Sequence, residues 1–190
     1  MSRSAHPAGP RHADVLPEGH YSGPPTDLNA LDPKVWAHTV TRDAQGVVTV
    51  GGIDVKSLAE AHGTPAYILD EADFRERARA WRTAFGHDAD VFYAGKAFLS
   101  RAVVRWLHEE GLNLDVCSGG ELATALSAGM PADRIAFHGN NKSTEEIDRA
   151  VRAGVGRIVL DSIQDIVLVS YIRPAIGKRE DPLRPVLCAL

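Results

Sequence analysis

Three observations place this chain in the α/β class, with a parallel sheet. Short apolar segments end near residues 94, 116, 138 and 160, each 22 residues after the last. Amphipathic helical segments lie between them, most of them closed by a glycine. No Gly-x-Gly-x-x-Gly follows the first of these strands, which argues against a dinucleotide-binding sheet. Strands alternating with helices are βαβ units with right-handed crossovers. Units this compact and regular predict a TIM-type (β/α)8 barrel.

The elements follow in order. Val47–Val50 is β-branched and stops at Gly51-Gly52, a turn. Val55 to His62 reads as a short helix ended by Gly63, and Pro65–Leu69 as another strand. Asp70 caps a helix whose Phe74, Ala78, Trp81 and Phe85 share one face. Asp90–Ala94 is the first strand of the repeating series. Leu99–Glu110 is its helix, with Val103, Val104, Trp106 and Leu107 inward. The strand Leu112–Val116 and helix Glu121–Ala128 follow, then the strand Arg134–His138. Ser143 and Glu146 form a capping box at the next helix, which Gly154 closes. Arg157–Leu160 is a strand, Asp161-Ser162 cap a helix reaching about Tyr171 before Pro174, and Arg184–Leu190 is a further strand.

The composition fits a soluble globular chain. There are 190 residues, 44% hydrophobic and 24% charged, with a formal net charge of −4. A mildly acidic balance offers no footprint for nucleic acid, and no apolar run approaches the length of a membrane span. Cys117 and Cys188 are far apart and read as free thiols of a reducing compartment. The first residues are rich in proline and lack an apolar stretch behind Arg3, so no signal peptide is expected and the location is read as cytoplasmic. Residues 1–33 are expected to be a disordered arm. From residue 70 onward there are four complete units and a fifth strand. A full barrel takes eight units and typically ~250 residues, so the expectation is a barrel truncated after about four βα units.

Three strand ends carry chemistry, because strand C-termini form the active face of such barrels. Lys96 follows the first strand. Partial burial there would suit it to imine formation, whereas in solvent it would simply end a strand. Asp115-Val116-Cys117-Ser118-Gly119-Gly120-Glu121 follows the second, with glycines that permit close approach to a ligand. Ser118 and Glu121 read equally well as a capping box, and Cys117 as a small buried hydrophobe. His138-Gly139-Asn140-Asn141-Lys142 follows the third, either contacting a cofactor or simply leading into an N-cap. The histidines show no metal-ligand spacing, so no metal site is assigned.

In order and spacing, Val91–Phe98, Leu114–Leu122 and Phe137–Lys142 resemble the motifs of fold-type III pyridoxal-phosphate enzymes, and specifically the diaminopimelate decarboxylase family. The likeness runs from about Leu28 to Gly177. It implies a (β/α)8 barrel over 70–190 in part, and an N-terminal share of a separate β-domain over 34–69. It implies pyridoxal 5'-phosphate attached to Lys96, with Asp115 and His138 as further cofactor contacts. The implied reaction is decarboxylation of meso-2,6-diaminopimelate, a small amino-acid substrate, to L-lysine. The family's complete chains are homodimers with shared sites. Its later elements are missing: a ring-stacking histidine, a glycine-rich phosphate loop, a Glu-Pro-Gly-Arg segment and the C-terminal β-domain. The tail beyond Gly177 departs from the pattern, with Ala189 where an arginine is usual. Arginine or ornithine decarboxylase, alanine racemase and a non-catalytic half-barrel remnant are the alternatives.

Overall fold

The computed structural model describes residues 27, 29–86, 88–175 and 184–187. Most of the expected N-terminal arm, together with Cys188, Ala189 and the segment after Gly177 up to residue 183, lies outside them. The chain divides into two units, Met1–Ala66 and Tyr67–Leu190.

Within the first unit, β1 (Thr41–Arg42), β2 (Val48–Val50) and β3 (Ile53–Asp54) form an antiparallel sheet in that order. Gly46, Gly51 and Gly52 adopt positive φ, which lets the chain reverse tightly between the strands. Helix α1 (Val55–His62) begins where the Asp54 carboxylate accepts the Ser57 N–H at 2.8 Å, and Gly63 ends it.

The second unit alternates strands and helices: α2 (Glu71–Phe85), β4 (Phe92–Ala94), α3 (Arg101–Glu109), β5 (Asn113–Val116), α4 (Gly119–Ser127), β6 (Ile135–Phe137), α5 (Thr144–Ala153), β7 (Arg157–Leu160), α6 (Ile163–Ala175) and β8 (Arg184–Leu187). The five strands lie side by side in sequence order, and every pairing is parallel. This is the adjacency that the 22-residue rhythm predicts. Neighbouring parallel strands need a crossover, and α3, α4, α5 and α6 supply one each.

Side chains alternate along each strand. Leu114 and Val116 of β5 and Ile135 and Phe137 of β6 are wholly buried. They join Val103, Val104 and Leu107 of α3, Leu122 of α4 and Ile147 of α5 in one apolar cluster. Burying each large side chain contributes about 1.5–3 kcal/mol. Asp115 alternates with Leu114 and Val116, and His138 comes one residue after Phe137. The alternation therefore sends both toward the face opposite the buried cluster.

The structure departs from the sequence reading in four places. Pro65–Leu69 joins no strand among the described residues, and Tyr67, Ile68 and Leu69 are exposed. An apolar run alone does not make a strand without a ladder partner. Trp81 and Phe85 lie on the expected face of α2 yet stay exposed and stack on each other, with ring centroids 5.9 Å apart. Only Ala78 of that helix is buried. Trp106 is partly buried, with Phe74 against one edge. Helix α6 continues past Tyr171 and takes in Pro174, ending at Ala175.

Candidate functional site

Lys96 sits at the C-terminal end of β4, in a single 3-10 turn, Gly95–Ala97. Two features press this turn against β5. A Cβ on Gly95 would come 3.0 Å from the Asp115 carbonyl oxygen and 3.2 Å from Glu121 Oε2, so a side chain here would crowd β5 and α4. Across the turn, the Tyr93 hydroxyl donates to the Phe98 carbonyl at 2.9 Å. The Tyr93 ring meets Phe74 edge-to-face, centroids 5.6 Å apart, and burial pushes its phenol up. Lys96 itself is exposed, not partly buried as expected, because it stands at the tip of the turn.

Asp115 is next to it. Register pairs Ala94 with Asp115 and Asp115 with Ala136 across β4, β5 and β6. Asp115 Oδ2 lies 3.7 Å from His138 Nδ1, within ion-pair reach but too long for a direct hydrogen bond. Burial pushes the Asp115 carboxyl above its ordinary value, while His138 and the Lys96 ammonium pull it back down. The structure thus brings Lys96, Asp115 and His138 to one end of the sheet.

Cys117 is exposed rather than buried, because it lies just past the end of β5. Burial and the Glu121 carboxylate beside it hold its thiol up, and a protonated thiol is a poor nucleophile. Ser118 and Glu121 form half of the expected capping box. Ser118 Oγ accepts the Glu121 N–H at 3.3 Å, but Glu121 Oε2 accepts the Cys117 N–H at 2.9 Å instead of the cap's own. At α5 the capping box is complete, with Glu146 Oε2 accepting the Ser143 N–H at 2.9 Å. Among the described residues no cluster of histidine, cysteine and carboxylate side chains could hold a metal ion, and no helix is long and apolar enough to cross a membrane.

The residues that join these loops escape a strand-by-strand reading. Glu146 Oε1 also accepts the N–H of Gly119 in the preceding loop. Lys142, its side chain fully buried, bonds the Gly139 carbonyl and lies 3.1 Å from Asp161 Oδ2 and 3.2 Å from Asp165 Oδ2. Asp165 Oδ2 in turn accepts the Asp161 N–H at 3.1 Å, and Ser162 Oγ accepts the Asp165 N–H. A single signal, Ser-x-x-Glu/Asp, recurs at Ser118–Glu121, Ser143–Glu146 and Ser162–Asp165 and could have exposed the pattern. In each unit the carboxylate in the helix's first turn folds back onto the loop after the strand.

The donor set suits pyridoxal phosphate. Lys96 offers a primary amine to an aldehyde, and a carboxylate and an imidazole on adjoining strand ends can meet polar groups of a ring.

A lysine at the C-terminal edge of a parallel sheet, flanked by these strand ends, stands where α/β proteins of this kind carry their chemistry. Residues 71–181 match the family model of the pyridoxal-dependent decarboxylases, pyridoxal binding domain, and the chain belongs to that family. The chain is 51% identical over 157 residues to the diaminopimelate decarboxylase of Mycobacterium bovis, covering 83% of this chain and 35% of that protein. To that of Mycobacterium leprae it is 47% identical over 185 residues, covering 95% of this chain and 39% of the relative. It therefore spans between a third and two-fifths of the length of these curated relatives. Among solved structures, one from Aquifex aeolicus superposes with a TM-score of 0.72 at 32% identity, covering 78% of this chain and 36% of that one. Diaminopimelate decarboxylase from M. jannaschii in complex with L-lysine gives 0.66 at 30% identity, covering 75% and 34%.

Proposed function

We propose that this chain carries the lysine-bearing part of a decarboxylase that acts on meso-2,6-diaminopimelate and yields L-lysine. The observation that carries the reading is the placement of Lys96, Asp115 and His138 at one end of β4, β5 and β6. The relatives' names support the choice of substrate. The described sheet is four βα units and a fifth strand of a (β/α)8 barrel. Residues 34–69 contribute to a separate β-domain, residues 70–190 to the barrel, and residues 1–33 form an arm. The location is cytoplasmic, and the partner is a small amino acid rather than nucleic acid or membrane.

Pyridoxal phosphate, when bound, supplies the electron sink that takes up the pair released as the carboxylate leaves. The protein's residues prepare the place for it. Lys96 Nζ is the attachment point, and its exposure leaves it open to an aldehyde. Asp115 and His138 would hold the ring's polar groups, and the Tyr93–Phe98 hydrogen bond spans the turn that carries Lys96.

The test is carbon dioxide release from carboxyl-labelled meso-diaminopimelate, with added pyridoxal phosphate, by a chimera in which residues 71–181 replace the matching segment of the Mycobacterium bovis relative. Release above that from free pyridoxal phosphate, lost in Lys96→Ala and weaker with L-ornithine or L-arginine, supports the reading. No release above the free cofactor, or a preference for ornithine or arginine, contradicts it.

A further inference from the structure

We propose that Lys142 is a positioning residue that holds His138 against Asp115. The inference rests on the reading of that pair as cofactor contacts, but its test needs no cofactor. Lys142 has the most completely buried charged side chain described, with three oxygen partners from three places in the chain: the Gly139 carbonyl, Asp161 and Asp165. Burying an ammonium is costly unless it is paired and hydrogen-bonded. Two carboxylates meet the charge, so the bond to the Gly139 carbonyl is not needed for neutrality. Its effect is to draw the loop after β6 down toward the end of β7 and the start of α6.

That loop has little freedom. Gly139 has φ +97°, and a Cβ there would stand 2.7 Å from the Cys117 carbonyl oxygen. The backbone of the β6 loop thus crosses directly over the end of β5, two residues after Asp115. His138 is the next residue toward β6. Anchoring the Gly139 carbonyl from below therefore fixes where the imidazole stands relative to Asp115, 3.7 Å away. Asp165 completes the device, since its Oδ2 both meets Lys142 and accepts the Asp161 N–H.

The groups facing Asp115 are His138 from the end of β6, Lys96 from the turn after β4, and Glu121 from α4. Of these, His138 is the one that the β6 loop couples to Lys142. The experiment follows the Asp115 carboxyl by carbon-detected NMR across pH in the full chain. Lys142→Met alone leaves Asp161 and Asp165 facing each other without a cation, so Lys142→Met combined with Asp161→Asn and Asp165→Asn is measured as well. The expected result is an upward shift of the Asp115 titration in the folded variant, because His138, which holds it down, has moved away. That shift should vanish when the same changes are made in a His138→Ala background. A shift that persists without His138 reflects only the lost lysine charge and overturns the proposal. So does an unmoved Asp115, or a triple variant that no longer folds, which would confine Lys142 to stability. Failure of pyridoxal phosphate to label Lys96 would instead contradict the functional reading and leave these titrations intact.

Discussion

The carboxylate of Glu146 accepts two backbone N–H groups that are distant in sequence, that of Ser143 at its own helix start and that of Gly119 in the loop after β5. One side chain thus caps α5 and ties the β5 loop to the β6 loop. A Cβ on Gly119 would come 3.0 Å from Glu146 Cγ, so a side chain there would push on the Glu146 side chain.

This contact predicts a pH dependence. The Ser143 and Gly119 N–H groups hold the Glu146 carboxyl below its ordinary value of 4.5, against the opposing effect of burial. A depressed native value means stability that is present above 4.5 and lost as pH falls through the native value. Glu146→Gln should lower stability at neutral pH by roughly 1 kcal/mol and flatten the acid limb. Urea unfolding at neutral and acid pH measures both, and an unchanged acid limb would count against the assignment.

Asp115 predicts the opposite sign. Burial raises its native value above 3.8, so its contribution to stability is present below 3.8 and lost as pH rises through the raised value. Asp115→Asn should therefore unfold at higher urea than the unaltered chain at neutral pH, while weakening pyridoxal-phosphate capture. A residue kept at the expense of stability is expected where chemistry needs it. Lower stability in Asp115→Asn at neutral pH would show that the carboxylate is structural.

Gly139→Ala tests the crossing of the two loops. Its φ of +97° and the 2.7 Å approach to the Cys117 carbonyl make any side chain strained there. The expected loss is about 1–3 kcal/mol, read as a lower midpoint in chemical unfolding. The neighbouring Asn140→Ala, which is exposed, should cost less than half as much.

How much of this was legible in the sequence depends on distance along the chain. The strands of the second unit were readable because each is a short apolar run bounded by turns, and the 22-residue rhythm gave their parallel order. The Ser143–Glu146 box was readable because its partners are three residues apart. The Gly119–Glu146 bond was not, because its partners are 27 residues apart and meet only once β5 and β6 pair. The Lys142 cluster is hidden for the same reason: its carboxylates come from beyond β7. Pro65–Leu69 was misread because composition marks a strand and only a neighbour makes one. Exposure was misjudged at Lys96 and Cys117, since a position just past a strand can face either solvent or core.

Tyr93→Phe removes only the hydroxyl that donates to the Phe98 carbonyl. The loss should be about 0.5–1.5 kcal/mol of stability, with slower capture of pyridoxal phosphate because the Lys96 turn is less fixed. Capture kinetics followed by absorbance distinguish the two effects, and an unaltered capture rate would show that the hydroxyl serves the fold alone.

The central claim is that Lys96 is the point at which the cofactor attaches. Adding pyridoxal phosphate to the full chain, reducing with borohydride and mapping the modified peptides tests it most directly. The account predicts label concentrated on Lys96 and lost in Lys96→Ala, with Lys34 and Lys56 labelled only at background. Label spread evenly over the exposed lysines, or unchanged in Lys96→Ala, would contradict it.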